Sequence, residues 1–350
     1  MKKFTEGFAR TQSSSRAGAA LTNANRLRLS AMSRTLLAAL LLTLSSLLSA
    51  SDKTDEGLEI LKQARSRSDI RELPCFTMRA TVKIENQGKL LEGEYALLWN
   101  GPDQWREEIS FPGFDEIRIG GSGKVALKRN LDFVPLRVHQ LELALGYGRG
   151  GLTLRPDEGI KQVRTRKVSG MEARCAEITG KLNARQICVD ASTGAVVRDH
   201  PFIDKEFASL GAKIFPHILS YIEEGKTVAQ AEVTELKTTE RFPSSAFEVP
   251  AGAVAKPSCL SPTMGRLIQK VSPSYPESER HGHVQGTVAI YAVIGTDGSL
   301  HDLRIVSGVS PGLNKASLDA VQQWRYEPNM CQDTPVEVES VIQVNYSLSN

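Results

Sequence analysis

Two histidines near the C-terminal end of the chain have the type and spacing of metal ligands. His281 and His283 stand two residues apart ahead of a long apolar run, and His301 follows after an Asp-Gly pair. Residues two apart share one face of an extended segment, so the two imidazoles could ligate zinc. A zinc site needs three or four ligands held by further hydrogen bonds, and no such set is present here. We therefore interpret these histidines as exposed polar residues ahead of a strand and predict no metal site.

The other stretches with a chemical pattern lack the context that their chemistry requires. Residues 146–151 fit G-x-G-x-x-G, but a dinucleotide site needs these glycines between a strand and a helix, whereas LTLRP follows. Residues 120–125 lack the first glycine and the Ser/Thr of a phosphate loop, and neither G-x-S-x-G nor H-E-x-x-H occurs. The acidic pairs Glu107–Glu108 and Glu223–Glu224 are interpreted as solvated charges. We predict no enzymatic activity and no cofactor.

Length and composition limit the number and kind of domains that could position a site. A chain of 350 residues is long for one domain at about 150 residues each, so two or more domains are expected. The net charge of +3 is small, and Lys and Arg are not concentrated in the way that a nucleic-acid partner requires.

Residues 1–51 differ in composition from the rest. A basic leader without acidic residues after Glu6 runs into the apolar stretch Thr35–Ala50, which is shorter than the about 20 residues of a membrane span. With small residues following, the pattern is typical of a secretory signal peptide cleaved near Ala50, and it predicts a periplasmic protein. An uncleaved signal anchor is the alternative. Translation from Met32 rather than Met1 would make the signal compact.

Export changes the interpretation of the five cysteines, because oxidising compartments preserve disulfides. Cys175 and Cys188 lie in two β-type runs that can face each other across a hairpin, within reach of a disulfide. Cys259 and Cys331 bracket the C-terminal segment and form the second predicted bridge. Cys75 then remains as a buried thiol.

Period-two patterns dominate the chain from the signal to about Pro250. Residues 54–66 read as a helix, and the segments after it, including 76–85 and 136–145, alternate apolar and polar residues between turn-forming Gly, Asn and Pro. We predict an antiparallel β-rich domain over 52–252, with its apolar face buried against a helix, its own far edge or a ligand.

This domain resembles a family of periplasmic carriers. A leading helix, a meander with GEYALLWNGPDQWREEISFPGF near its start, and FPSSAFEVPAGA at its end make residues 54–252 similar to the lipoprotein carriers of the LolA and LolB type. The resemblance implies a half-open barrel closed by helices, whose apolar inner face can hold acyl chains. The alternative is that this face is the packed core of a β-rich domain.

Residues 253–264 read as a linker of small residues and prolines, and a smaller domain follows over 265–350. Its pattern predicts a short helix after Tyr275-Pro276, a hairpin turned at Asp297-Gly298, an amphipathic helix over 313–324 and a last strand. One helix packed on a small antiparallel sheet is a complete two-layer module. The predicted fold class is therefore α+β, a half-barrel-like β-rich domain with helices followed by a two-layer domain.

The smaller domain resembles the C-terminal domain of the TonB energy-transducer family over residues 265–348. The resemblance rests on matches in order and spacing: Tyr275-Pro276, Gly286, Asp297-Gly298, Ala316, Ala320-Val321, Trp324 to Pro328, and Pro335-Val336. It implies a periplasmic domain that captures the TonB box, a short extended segment of an outer-membrane receptor, as a strand beside its own final strand. Main-chain bonds at an open edge give affinity in such a capture, and side-chain pockets give selectivity.

The resemblance also implies a contact surface made of a lead-in and the last strand: Ser272, Pro273, Ser274, Tyr275, Val341, Ile342, Gln343, Val344, Asn345 and Tyr346. Two departures affect it. The family's lead-in often carries glutamine where Ser272 stands, and energy transducers have an N-terminal membrane helix and a Pro-rich spacer where this chain has a signal-like run and a β domain. Pairing of two copies through the same edge strand is a further expectation.

The sequence thus predicts an exported adaptor that captures a segment of an envelope protein, in TonB-linked transport. A soluble periplasmic carrier of lipid or lipoprotein is the alternative. An enzyme of unrecognised type is a third hypothesis, and no residue constellation supports it.

Overall fold

The computed structural model describes residues 54–86, 88–145, 152–154, 157–180, 184–199, 201–257, 259–260 and 262–348. The predicted leader and signal over 1–51 and the glycine-rich residues 146–151 lie outside the described residues. The described residues from 54 to 348 belong to one compact unit. Within the described part of the chain, no helix is both long enough and apolar enough to cross a membrane.

A sheet of thirteen strands forms the N-terminal domain. In chain order, β1 to β13 are Phe76–Asn86, Lys89–Trp99, Gln104–Phe111, Phe114–Gly121, Lys124–Arg129, Gly159–Val168, Met171–Thr179, Ala184–Asp190, Val196–Asp199, Phe202–Leu210, Lys213–Glu223, Lys226–Thr238 and Val254–Pro257. In space they run β13-β5-β4-β3-β2-β1-β12-β11-β10-β9-β8-β7-β6, with antiparallel neighbours throughout. The sheet is open rather than closed, and the predicted α+β fold class is confirmed.

The alternation of residue types decides which face of this sheet is buried. In β1, Met78, Val82 and Ile84 are buried, whereas Arg79 between them is exposed. Successive side chains of a strand point to opposite faces, so the period-two pattern turns one apolar face inward. Further inward-facing residues of β2 and β3 join the same core, among them Tyr95, Leu97, Trp99, Trp105 and Ile109.

Two helices cover apolar parts of the sheet. Helix α1 occupies the described residues 54–68, where a helix is predicted, and buries Ile60 and Ala64 in a cluster with Ile178 and Ile187. Helix α2, Leu136–Leu145, lies in the main core beside β1, β11 and β12.

The prediction of a strand over 136–145 is wrong, because this segment is α2. Leu136 and Val138 are two apart, which fits a strand, but the buried residues Val138, Leu141 and Leu145 follow helical spacing. Leu, Gln, Glu and Ala in this segment all tolerate or favour a helix. The sheet already presents an apolar face that needs cover, so tertiary burial selects the helical pattern.

Two other regions differ from the sequence patterns. Residues Val254–Pro257, inside the predicted linker, form β13 and pair with β5 at the edge of the large sheet. The hairpin of β10 and β11 carries no strand prediction. Pro216 lies within β11 beside the buried Phe215, and both a proline and consecutive buried residues obscure a period of two.

Both predicted disulfides are present. Cys175 and Cys188 are directly opposite each other in the β7–β8 pair. Cys259, just after β13, is bonded to Cys331 in the C-terminal domain. Cys75 is a free and buried thiol, as predicted.

The C-terminal domain begins at β14, Leu267–Gln269, and the short helix α3, Glu277–His281. It continues with β15 (Gly286–Ile294), β16 (Leu300–Ser307), α4 (Pro311–Val321), β17 (Arg325–Tyr326), β18 (Asn329–Cys331), β19 (Thr334–Val336) and β20 (Val338–Tyr346). Its main sheet has the order β16-β15-β20, and β14 pairs with β17 and β18 with β19.

The β15–β16 hairpin turns where Asp297-Gly298 predicts it. Gly298 has φ of +77°, and a Cβ there would lie 1.8 Å from the Tyr326 carbonyl oxygen, so only glycine fits. The Asp297 carboxylate accepts a hydrogen bond from the Ser299 N–H at 2.9 Å and one from its hydroxyl at 2.6 Å. The positive φ of Gly298 and the hydrogen bonds of Asp297 thereby fix the conformation of the turn.

Candidate functional site

Strand β20 forms a regular edge of the C-terminal sheet. It pairs with β15 from Tyr346 opposite Gly286 to Val338 opposite Ile294 without a register shift. No strand pairs with its other side in the described part of the chain. At the opposite edge, β16 pairs with β15 through two register shifts, and Asp302 within it has φ of +54°. A bulged, charged edge resists the addition of a strand, whereas a regular edge offers its unpaired N–H and C=O groups. β20 is therefore the edge suited to accept a further strand.

One face of β20 anchors the strand beneath α4. Ile342, Val344 and Tyr346 are buried there. The Tyr346 hydroxyl donates to the Leu313 carbonyl oxygen at 3.3 Å and lies 3.0 Å from the Ser317 hydroxyl. These contacts hold the strand from the helix side, so its edge stays in place without an added partner.

The other face of β20 presents polar side chains. Gln343 and Asn345 are exposed, and Val341 is half-buried. Cross-strand neighbours on one face of a sheet interact through their side chains. The three residues could therefore contact alternate side chains of a strand added beside β20.

The lead-in reaches the end of β20 through an aromatic contact. The Tyr275 ring packs edge-on against Tyr346 with centroids 5.3 Å apart, and the Tyr275 hydroxyl donates to the Val284 carbonyl oxygen. The indole N–H of Trp324 donates to the Val271 carbonyl oxygen at 2.8 Å. The structure thus brings Tyr275 together with the last strand. The other lead-in residues are the exposed Ser272 and Ser274 and the half-buried Pro273.

The three histidines lie on the surface of the C-terminal domain. His281 and His283 are exposed, at the end of α3 and just after it. His301 faces two carboxylates, Asp302 at 3.0 Å and Glu337 at 3.5 Å. Among the described residues, no three or more His, Cys, Asp or Glu side chains are gathered as a metal site would require.

Residues 271–348 match the family model of the Gram-negative bacterial TonB protein C-terminal. The resemblance predicted for this segment is therefore confirmed. Protein TonB of Klebsiella pneumoniae is 32% identical over 76 residues, which are 21% of this chain and 31% of that relative. The chain thus spans less than a third of the length of this relative.

Similar solved structures include a LolA superfamily protein from Nitrosomonas europaea, with 13% identity and a TM-score of 0.36, covering 56% of this chain and 97% of that chain. A DUF1329 family protein from Desulfovibrio piger has 11% identity and a TM-score of 0.36, with the same two coverages of 56% and 97%. No functional conclusion follows from likenesses at this level.

The face of the C-terminal domain that points away from α4 lies partly against the N-terminal domain. Tyr291 and Val293 of β15 are only 2% and 5% exposed, although α4 covers the opposite face of their strand. The Phe133 ring contacts Tyr291 with centroids 6.2 Å apart, and Arg304 pairs with Asp132 at 2.9 Å. The sheet is therefore buried on both faces around Tyr291 and Val293, whereas β20 is exposed at Gln343 and Asn345.

Arg129 of β5 is the centre of this contact, and its side chain is 8% exposed. Its guanidinium donates to both oxygens of the Glu339 carboxylate in β20, at 2.8 and 3.1 Å, and to the Tyr291 hydroxyl at 3.3 Å. It also donates to Glu116 at 3.2 Å. Lys256 of β13 donates to Glu339 at 3.1 Å. Such two-pronged, charge-assisted bonds are stronger and more directional than neutral ones.

The charges of this contact shift each other's titration. Burial by itself lowers the pKa of Arg129, but the bond and charge of Glu339 raise it above its ordinary value. Burial acts to raise the pKa of Glu339, yet Arg129 and then Lys256 lower it to about 2. The pair is consequently ionised throughout the neutral range.

A buried polar cluster lies behind Arg129. Arg118 of β4 contacts Glu116 at 2.5 Å, Glu142 of α2 at 3.0 Å and Glu107 at 3.6 Å. The Tyr95 hydroxyl donates to Glu107 at 2.7 Å, and Glu107 is 4% exposed, so its interpretation as a solvated charge is wrong. Burial raises the pKa of Glu142 to about 8, with Glu116 and Glu107 adding to the shift and Arg118 opposing it.

One sequence signal could have located the contact between the domains. Residues 288–294 are uninterruptedly apolar, which is typical of a strand buried on both faces. A single amphipathic helix covers only one of them. A second signal exists for Glu107, which is in phase with the apolar residues Trp105, Ile109 and Phe111 of β3, so the period of two places it on the inward face.

An apolar cleft opens within the N-terminal domain, on the inner face of the sheet. Its lining includes Met78, Tyr95, Leu97, Trp105, Leu145 and Phe215. It holds about 510 Å³ of empty space, counting its open mouth, of which about 30 Å³ is wide enough for the centre of a water molecule. The buried indole N–H of Trp105 has no hydrogen-bond partner among the described residues. Side chains from the sheet and α2 thus fill most of the interior and leave a narrow space.

Proposed function

We propose that this protein is an exported envelope adaptor whose C-terminal domain captures an extended segment of a partner protein, in TonB-linked transport. The observation that carries the proposal is the edge of β20, whose nine residues keep an unbroken register with β15. On the other side of β20, no strand is paired within the described residues. An extended segment can add there through main-chain hydrogen bonds.

Side chains around the edge would supply selectivity. Gln343 and Asn345 stand on the exposed face of β20, and Tyr275 packs at its end against Tyr346. A captured strand would alternate its own side chains between these polar residues and the side of α4. The family match over residues 271–348 supports a segment like the TonB box as the partner.

A periplasmic location is consistent with the cysteines and the N-terminal pattern. Two disulfides fit an oxidising compartment. Cleavage near Ala50 and translation from Met32 remain predictions. Sequencing the N-terminus of the mature protein tests both, and a mature chain that starts upstream of Met32 contradicts them.

The capture is tested with the full mature chain and a synthetic TonB-box peptide. We expect the backbone amide resonances of residues 342–346 to shift as the peptide is titrated. The control is the same peptide with N-methyl groups on alternate backbone nitrogens, which keeps the side chains but removes the strand-forming donors. Shifts confined to β16, or equal shifts with the N-methylated peptide, would contradict strand addition at β20.

A carrier of acyl chains is the second candidate function, and the apolar cleft favours it. Its lining is predominantly apolar, but the space that the centre of a water molecule can enter is about 30 Å³, far below the about 300 to 1,000 Å³ of ordinary ligand sites. Because little of that space is wide, an acyl chain would have to displace side chains of α2 such as Leu145. The unpartnered Trp105 N–H supplies one donor for a polar group of the ligand.

Palmitate binding to delipidated protein tests this candidate. We expect Leu145→Trp, which fills the cleft, to abolish binding, whereas Leu90→Trp, on a residue that is 63% exposed and outside the cleft, leaves it unchanged. Absence of palmitate binding by the unmodified protein, or equal binding by both variants, contradicts acyl-chain carriage in the cleft.

A further inference from the structure

We propose that Arg129 is a latch between the two domains, whose buried bond to Glu339 holds β20, and with it the C-terminal domain, in one orientation on the N-terminal sheet. The latch involves no captured partner. Its test therefore stands apart from that of the proposed function.

The covalent connections between the domains are short and lie close together in the chain. The chain leaves the large sheet at Pro257, the last residue of β13. Two residues later, Cys259 is joined by a disulfide to Cys331 of the C-terminal domain. Connections gathered at one place limit separation but permit rotation about that place. Non-covalent contacts must therefore set the orientation.

Among those contacts, the bond of Arg129 differs from the others in burial. Arg304 and Asp132 also pair across the domains, but their side chains are 49% and 67% exposed. Water and salt screen an exposed pair, and its long side chains can rearrange. Arg129 and Glu339 are 8% and 24% exposed, and the two-pronged geometry fixes direction as well as distance.

The N-terminal domain holds the guanidinium ready for this bond. Arg129 Nε donates to the Leu131 carbonyl oxygen at 3.1 Å, and Nη2 donates to the Asp132 carbonyl oxygen at 3.3 Å. Glu116 accepts from Nη1 and is held in turn by Arg118. Of the partners of Arg129 among the described residues, the Glu339 carboxylate and the Tyr291 hydroxyl come from the C-terminal domain. Removing Glu339 thus breaks the charged bond between the domains while Arg129 keeps its partners within its own domain.

The contacts behind Arg129 support the same conclusion. Glu116 bonds to Arg129 and to Arg118, and Arg118 also contacts Glu107 and Glu142, so the guanidinium stands in a buried cluster of its own domain. Glu339 joins this cluster from the other domain.

The latch is tested by measuring the distance between spin labels on the two domains of the full mature chain. Lys205→Cys and Lys315→Cys introduce labels at exposed positions of β10 and α4, with both disulfides intact and Cys75 buried. We expect one narrow distance distribution in the parent protein. We expect Glu339→Gln and Arg129→Met to broaden it with loss of the single peak.

The matched control is Arg304→Gln, which removes the exposed pair across the same contact and should leave the distribution narrow. The indole N–H resonance of Trp324, bonded to Val271, reports that the C-terminal domain is folded. If Arg129→Met does not fold, Glu339→Gln decides by itself. A narrow distribution in folded Glu339→Gln, or equal broadening in Arg304→Gln, overturns the latch.

Discussion

The two faces of the C-terminal sheet are held by different chemistry. Toward α4, Val288, Ile290 and Ile342 pack in an apolar cluster with Leu313. Toward the N-terminal domain, the same sheet presents the Tyr291 hydroxyl and the Glu339 carboxylate to a guanidinium. The first face is held by area removed from water, and the second by directional bonds between buried charges.

This difference determines what each face tolerates. An apolar cluster loses stability in proportion to the volume removed and accepts similar shapes. A buried ion pair gains little over an apolar replacement of both partners, yet the loss of one partner leaves an uncompensated charge. Substitutions on the helix face should therefore lower the free energy of unfolding in small steps, whereas the loss of one charged partner on the other face should lower it by a large amount.

The largest expected effect is that of Arg129→Met. This change leaves Glu339 with only the half-exposed Lys256 as a cation and removes one of the two guanidinium partners of Glu116, and we expect the free energy of unfolding to fall by about 3 to 5 kcal/mol. Urea unfolding at neutral pH measures it. The double variant Arg129→Met with Glu339→Leu should recover part of the loss, because no charge of the pair is then unpaired. If the losses in the free energy of unfolding caused by the two single changes simply add in the double variant, the charged face is not held by the pairing of these two charges.

The charged side should also depend on pH through Glu142. The pKa of Glu142 is raised from 4.5 to about 8 in the folded chain, so the unfolded chain releases this proton first as pH rises. As the pH rises from 4.5 to about 8, the free energy of unfolding of the parent protein therefore falls relative to that of Glu142→Gln. Above that range the difference between the two proteins is constant. At about 1.4 kcal/mol per pKa unit, the total is a few kcal/mol.

The measurement is the free energy of unfolding of both proteins at a series of pH values. Glu108→Gln is the matched control, since Glu108 neighbours Glu107 in the same strand but its side chain is 42% exposed. A pH profile of Glu142→Gln parallel to that of the parent protein would show that Glu142 does not hold its proton in the folded state.

A smaller effect is expected on the helix face from Ile342→Val. The change removes one methyl group from a residue that is 6% exposed, and we expect a loss of about 1 kcal/mol. Because no titratable group of the pair Arg129–Glu339 is touched, the loss should be the same at pH 5 and pH 8. A strongly pH-dependent loss would mean that the two faces are not independent.

The sequence predicts the helix face well because its rules are local. Tyr275-Pro276, Asp297-Gly298 and the amphipathic spacing before Trp324 each act within a few residues, and each lies where it is predicted. The contacts of β20 with the lead-in follow from the family resemblance, and the structure brings Tyr275 to Tyr346. The capture itself remains a prediction.

The charged face could not be predicted in the same way. Arg129 and Glu339 are 210 residues apart in the chain, and no periodicity connects them. Glu107 is in phase with the buried Trp105 and Ile109, but the groups that pair with its carboxylate, Arg118 and the Tyr95 hydroxyl, come from other strands. Residues 136–145 fit two periods, and only the apolar face that they cover decides for the helix α2. Each of these features depends on an element from elsewhere in the chain.

The smallest effect is expected from Arg304→Gln, and it sharpens the comparison because this residue lies on the charged face. Its pair with Asp132 is exposed, so we expect a change in the free energy of unfolding of about 0 to 1 kcal/mol, smaller still at high salt. Urea unfolding at low and high ionic strength measures both quantities. The loss in Arg129→Met should hardly change with salt, because that pair is buried and screened less. If Arg304→Gln costs as much as Arg129→Met, then position on the charged face, and not burial of the charge, decides the energetic cost.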